Sequence, residues 1–260
     1  MSAVVPAQKT ARVLAIVNQK GGVGKSTTAV NLGASLALLG RRVLVVDIDP
    51  QGNTTTGVGV DKRAVQRDVY NVLLERVALA DVVRPTEVEN LAIAPATLNL
   101  AGAEVELVSA LQRESRLKAA LSPVLPDYDE ILIDCPPSLG LLTINALTAA
   151  HEVIIPVQAE YYALEGLSQL VAIVRRIKEG LNPDLAIRGV LITMFDGRTK
   201  LATEVLEEVH RYFPDRVFQT QIPRNIRLSE APSYGKPAIL FDVKSRGAQA
   251  YLSLARELAS

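Results

Sequence analysis

Residues 18–28 read Asn-Gln-Lys-Gly-Gly-Val-Gly-Lys-Ser-Thr-Thr, and such a run can cradle a phosphate. Glycines let successive backbone N–H groups turn toward an anion, and a following helix adds its positive N-terminal end. Lys25 supplies a full charge to the β- and γ-phosphates of a nucleotide, Ser26 offers a hydroxyl to Mg²⁺, and Thr27 can donate to the α-phosphate. The usual pattern, G-x-x-x-x-G-K-[ST], fits at Gly24-Lys25-Ser26, but Gln19 stands where its first glycine belongs. In place of that glycine come Lys20 and the pair Gly21-Gly22, with Val23 completing the loop. One lysine suffices for the phosphates, so Lys20 needs a separate reason. A dinucleotide-type G-x-G-x-x-G would need a third glycine at 27, where Thr27 stands.

Two carboxylate positions complete such a site. Asp134 ends the apolar run Ile-Leu-Ile-Asp, where the acid that helps hold Mg²⁺ through water belongs. Asp47 and Asp49 close Val-Leu-Val-Val-Asp-Ile-Asp, ahead of the turn Pro50-Gln51-Gly52-Asn53. A carboxylate there can orient a water for in-line attack on the γ-phosphate, while its neighbour caps the loop. Alternation along a strand puts both on one side, so spacing does not choose between them.

The elements that must position these groups alternate along the chain. Apolar, β-branched runs predict strands over residues 12–17, 42–48, 130–135, 152–157, 189–195, 217–222 and 238–241. Helical patterns cover residues 25–39, with Gly40 as the stop, then 164–179 and 202–212. Short strands buried on both faces and separated by helices imply an α/β fold with a doubly wound, mostly parallel sheet flanked by helices. Ligands in such sheets bind beyond the carboxyl ends of the strands, where the loop at 18–26 falls. Residues 51–125 are hard to read, and their turn-rich start suggests a mobile loop. Residues 1–10 read as a loose tail and 11–260 as a single domain.

Composition narrows the class. Cys135 is the sole cysteine, which excludes a disulfide framework and a Cys-x-x-Cys metal site and fits a reducing cytoplasm. A cluster-carrying protein like the nitrogenase iron protein needs two cluster cysteines per subunit and is excluded too. No signal peptide is visible, and no window approaches ~18 uninterrupted apolar residues. Lysine plus arginine equals aspartate plus glutamate at 28 each, which argues against a generally basic surface but not against a local patch. Residues 171–260 hold 14 basic and 10 acidic side chains, an asymmetry that suits a phosphate-binding face.

The chain resembles the deviant Walker A ATPases, specifically the ParA/Soj partition family, over roughly residues 11–258. Lys-Gly-Gly-Val-Gly-Lys-Ser-Thr (20–27) is like the family's loop, Val-Asp-Ile-Asp-Pro-Gln-Gly-Asn (46–53) its switch region, and Ile-Leu-Ile-Asp-Cys-Pro-Pro-Ser-Leu-Gly (131–140) its Walker B strand. Ile-Pro-Arg-Asn-Ile-Arg-Leu-Ser-Glu-Ala-Pro-Ser-Tyr-Gly-Lys-Pro (222–237) is the most family-specific block. The resemblance implies a P-loop NTPase that binds ATP and Mg²⁺ and hydrolyses ATP slowly. It implies a homodimer formed around two ATP molecules, in which Lys20 reaches the phosphates held by the partner. It assigns Lys25 to the phosphates, Ser26 to Mg²⁺, Asp49 to the attacking water and Asp134 to the Mg²⁺ hydration shell. Pro223 and Asn225 match adenine-pocket positions, and Arg198 and Arg227 match positions that bind DNA. The implied partners are nonspecific double-stranded DNA on the nucleoid and a ParB-type centromere-binding protein that stimulates hydrolysis. Only about ten residues precede the first strand, as in the family's short form, which lacks a separate sequence-specific DNA-binding domain. A MinD-like membrane-surface ATPase is the alternative. Such proteins end in a basic amphipathic helix, whereas residues 249–260 read as a helix packed on the domain. A metabolic ATP-dependent synthetase with a similar loop is a further alternative.

Overall fold

The structure is a computed structural model that describes residues 10–160 and 163–259. The tail expected over residues 1–10 lies, apart from Thr10, outside the described residues. Seven strands form one sheet: β1 (Arg12–Ile16), β2 (Val43–Asp47), β3 (Arg84–Pro85), β4 (Leu91–Ala94), β5 (Glu130–Asp134), β6 (Glu152–Gln158) and β7 (Ala186–Thr193). Their order is β3-β4-β2-β5-β1-β6-β7. Every neighbouring pair is parallel except β3 with β4. The doubly wound sheet expected from the sequence is therefore present.

The helices used below are α1 (Lys25–Leu38), α2 (Asn53–Gly57), α3 (Leu100–Glu106), α4 (Leu141–Ala149), α5 (Ala163–Gly180), α6 (Lys200–Tyr212), α7 (Ile226–Glu230), α8 (Ala238–Phe241) and α9 (Arg246–Ala259). Alternation along the central strands sends Val13, Ala15, Ile131 and Ile133 into one core layer, with Leu142 and Ala146 of α4 and Leu170 of α5. It sends Leu14, Ile16, Val45 and Leu132 into the opposite layer, with Leu32 and Leu36 of α1 and Tyr251 and Leu254 of α9. Glycine lets α1 lie close to the sheet: a Cβ at Gly33 would meet the Val45 side chain at 3.0 Å. The C-terminal helix is anchored by Tyr251, 1% exposed, whose hydroxyl shares a 3.0 Å hydrogen bond with Thr28 of α1. It packs on the domain as its pattern suggests.

Two expected strands are not sheet members. The 217–222 segment shares only one bridge with β7, Val190 with Val217. It meets β7 again only through the Ile222 N–H, which donates to the Ile192 carbonyl at 2.9 Å, and the Phe218 ring packs over Gly189, where a Cβ would meet it at 2.7 Å. Residues 238–241 are the helical turn α8. There the Ala238 N–H is taken by the Asn31 side chain at 2.7 Å, and the next free amides close onto the Pro237 carbonyl. Conversely, the turn-rich start of 51–125 is ordered as α2, with Thr54 and Thr55 fully buried, and the same region contributes β3 and β4 to the sheet.

Tyr251→Ala should lower unfolding stability by about 3–5 kcal/mol through the cavity it leaves, and Tyr251→Phe by about 1 kcal/mol through the lost hydroxyl contact. Urea denaturation reads both; equal midpoints for Tyr251→Ala and the unsubstituted chain would mean that α9 does not anchor the fold.

Candidate functional site

β1 runs into the glycine loop, and its last residue, Ile16, is in register with Asp134 of β5. Gly22 and Gly24 both have positive φ, 76° and 90°, a conformation that only glycine adopts freely. Gly24 caps α1 from the left-handed region, without a side-chain cap and with no acid in the helix's first turn. The first-turn amides are thus left open to an external anion. Lys25 is 6% exposed and its ammonium lies 3.2 Å from the Lys20 carbonyl, which accepts from it. Burial pulls the Lys25 amine below its ordinary range, opposed by the negative field of Asp134, Cys135 and Asp49.

A cavity of about 900 Å³ opens over this loop, within the range of small-molecule and cofactor sites. Gly21, Gly22, Gly24, Lys25, Ser26, Thr27, Asp49, Pro223 and Asn225 all line it. These residues, read as one site in the sequence, line a single cavity. Val23 is buried, at 1% exposure, beneath the loop and does not line the cavity. Asn225 has a second task, accepting the Arg227 N–H at 3.0 Å as the cap of α7. Asn31, Lys62 and Arg224 also line the cavity; Arg224 falls within the 222–237 block, and Asn31 and Lys62 carry no motif that would announce them.

The structure separates the two aspartates that spacing left equivalent. Asp47 ends β2 fully buried and accepts from the Asp49 N–H (3.1 Å), the Thr55 N–H (2.8 Å) and the Thr55 hydroxyl (2.7 Å). It is the loop cap. Asp49 lies past the strand, faces the cavity and accepts from the Gln51 N–H at 2.9 Å.

Asp134 pairs with Asp47 across β5 and β2 and is itself fully buried. Burial raises the affinity of both carboxyls for a proton, and Asp134 raises that of Asp47 further. One Asp134 oxygen accepts from the Thr54 hydroxyl at 2.7 Å; the other, Oδ1, makes no hydrogen bond of ordinary geometry, though the Ser26 side chain is near enough to Asp134 to favour its charged form. That unmet oxygen and the Ser26 hydroxyl fit a hydrated divalent cation. Among the described residues no cluster of three or more His, Cys, Asp or Glu side chains could hold a metal. The Pro136–Gly140 loop that follows is tied down by α3, whose Glu104 accepts the Leu141 N–H at 2.8 Å. Sequence reasoning did not find Glu104.

The remaining candidates lie away from the cavity wall. Lys20 points to Glu160, with its ammonium 2.6 Å from the carboxylate and both side chains about half exposed. Arg198 is gripped by Asp196 through two bonds of 2.8 and 2.7 Å. Arg227 contacts Glu230 at 2.8 Å and Asp242 at 3.2 Å, and its guanidinium sits 5.9 Å from the centroid of the Phe241 ring.

A doubly wound sheet whose first strand empties into a Gly-rich loop ending in Lys-Ser, beside an acid-terminated strand, defines a P-loop NTPase; the extra lysine at the loop's start marks the deviant Walker A type. A family model described as an AAA domain matches residues 11–187. The chain is 61% identical over 249 residues to the sporulation initiation inhibitor protein Soj of Bacillus subtilis, covering 96% of this chain and 98% of that one. It is 56% identical over 247 residues to the chromosome partitioning protein ParA of Myxococcus xanthus, covering 95% and 87%. Among solved structures, the cobyrinic acid a,c-diamide synthase of Mycobacterium smegmatis with bound ADP and magnesium aligns at TM-score 0.85 and 40% identity, covering 96% of this chain and 94% of that one. The chain belongs to the ParA/Soj family of chromosome-partitioning ATPases.

Thr55→Val removes the hydroxyl that donates to Asp47 and accepts from the Ala96 N–H at 2.9 Å, leaving a buried amide unmet. The substitution should destabilise by about 1–3 kcal/mol, and Thr55→Ser by less than half of that. Chemical denaturation gives both values; a Thr55→Val protein as stable as the unsubstituted one would mean that Asp47 does not depend on this contact.

Proposed function

We propose that this chain is an ATP-driven dimerisation switch whose paired form binds DNA without regard to sequence and moves or positions chromosomes together with a ParB-type partner. The observation that carries this reading is the 61% identity to Soj over nearly the whole of both chains, on a site that retains both lysines of the loop.

Lys25 and the loop amides hold the β- and γ-phosphates of ATP, with the adenine between Pro223 and Asn225. The Ser26 hydroxyl and, through water, Asp134 would hold Mg²⁺, which when bound would supply positive charge to the β- and γ-phosphates. Asp49 orients the attacking water. No arginine of this chain is assigned to the γ-phosphate, so turnover on its own is slow and the partner raises it. Lys20 leaves Glu160 and reaches the triphosphate held by a second copy. Two such lysines repel each other without a shared polyphosphate, which makes pairing follow the γ-phosphate. Arg198 and Arg227 meet the DNA backbone. They exchange their carboxylates for phosphates, and the dimer presents the set twice. Nucleoid association follows from that contact.

The packing of α9 on α1 speaks against the MinD-like alternative, since its apolar residues Tyr251, Leu254 and Leu258 are already buried. No helix among the described residues is long and apolar enough to cross a membrane.

Binding to a random-sequence duplex, measured with ADP, with ATP and with ATP plus Asp49→Ala, should occur only with ATP and persist in the variant. Arg198→Ala and Arg227→Ala should each weaken it about tenfold and flatten its salt dependence. Lys20→Ala should remain monomeric at any ATP concentration in light scattering. Equal DNA binding with ADP and ATP would contradict the switch, and an ATP-dependent dimer of Lys20→Ala would contradict the role of that lysine.

A further inference from the structure

Thr193 ends β7, two places from β1 in the sheet, yet its hydroxyl donates to the Val23 carbonyl of the phosphate loop at 2.8 Å. Thr193 and Val23 are 2% and 1% exposed, so water does not compete for this bond. Val23 stands between two left-handed glycines. Its flanking peptides turn at little steric cost until a phosphate on the loop amides fixes them. The residue after Thr193 is Met194, at φ 50°, a backbone region unfavourable to a side chain and often kept where a chain must turn for a functional reason.

From that joint the chain is bonded at once to the 222–227 segment. The Phe195 N–H donates to the Ile222 carbonyl at 2.9 Å, and the Arg224 N–H donates to the Phe195 carbonyl at 3.2 Å. Each of the two segments carries one of the arginines proposed to meet DNA. Arg198 follows Phe195 and is held by Asp196; Arg227 follows Asn225, which caps its helix. One buried hydroxyl therefore joins the nucleotide loop to two segments bonded at Phe195 and Pro223, which lead into the turn bearing Arg198 and the helix α7 bearing Arg227.

We propose that Thr193 is a positioning residue that couples the phosphate loop to the Arg198 and Arg227 segments, so that a nucleotide in the loop sets how both arginines are presented to a DNA backbone. This rests on the partition reading above and adds to dimerisation a route within each protomer.

The test uses the full chain carrying Thr193→Val or Thr193→Ser. Each is brought to saturating ATP at a protein concentration where light scattering shows it dimeric, and binding to a random-sequence duplex is then measured. Thr193→Val should lose about tenfold in DNA affinity, the worth of one buried hydrogen bond, and Thr193→Ser should restore it to within about twofold. DNA affinity of the Thr193→Val dimer within about twofold of the unsubstituted dimer overturns the proposal. So does a loss that disappears once both are fully dimeric. Should Thr193→Val fail to fold, Met194→Gly keeps the hydroxyl and only loosens the joint. It should weaken DNA binding about threefold, and unchanged affinity overturns the proposal. Absence of ATP-dependent DNA binding in the unsubstituted chain would instead remove the partition reading itself.

Discussion

Asp47 and Asp134 stand side by side at the ends of β2 and β5, neither in contact with solvent. Burying two carboxyls together is unfavourable unless each finds donors or shares a counter-charge. The chain answers with consecutive residues of one short helix: Thr55 donates twice to Asp47, and Thr54 donates once to Asp134. The segment bearing Asp49 is thereby pinned at two points to the sheet. Lys25 supplies the nearest opposing field to Asp134. Sheet register, switch helix and phosphate loop are thus parts of one charge arrangement, in which one Asp134 oxygen makes no hydrogen bond of ordinary geometry.

Much of this was legible in the sequence, because the loop and the two acid-ended strands are contiguous motifs. Spacing could not separate Asp47 from Asp49: the deciding fact is that β2 stops at Asp47, so the alternation that placed both on one side no longer applies to Asp49. The strands expected at 217–222 and 238–241 have suitable composition, but composition cannot show that Phe218 crowds Gly189 or that Asn31 captures the Ala238 amide. β4 escaped notice because Leu-Ala-Ile-Ala is four residues long and lacks a run of branched side chains. Glu104, which caps α4 from 37 residues away in sequence, and Glu160, 140 residues from Lys20, leave no local signature at all.

A common pattern runs through the charged surface. Lys20, Arg198 and Arg227, the three cations assigned to phosphates outside their own protomer's loop, each rest on carboxylates of their own chain. Such pairs give order to long side chains while contributing little stability where water reaches them. Phosphate accepts the same forked donor set as carboxylate, so the exchange requires no new side-chain geometry.

The Lys20–Glu160 pair shows what this means for a single molecule in the resting state. With both groups about half in water, the contact is worth only ~0.2–1 kcal/mol, which leaves roughly one chain in six to two in five with the ammonium already detached at any instant. If Lys20 serves a triphosphate as proposed, that anion would meet a ready-made minority and would not have to pry the amine loose. Screening by added salt enlarges that minority.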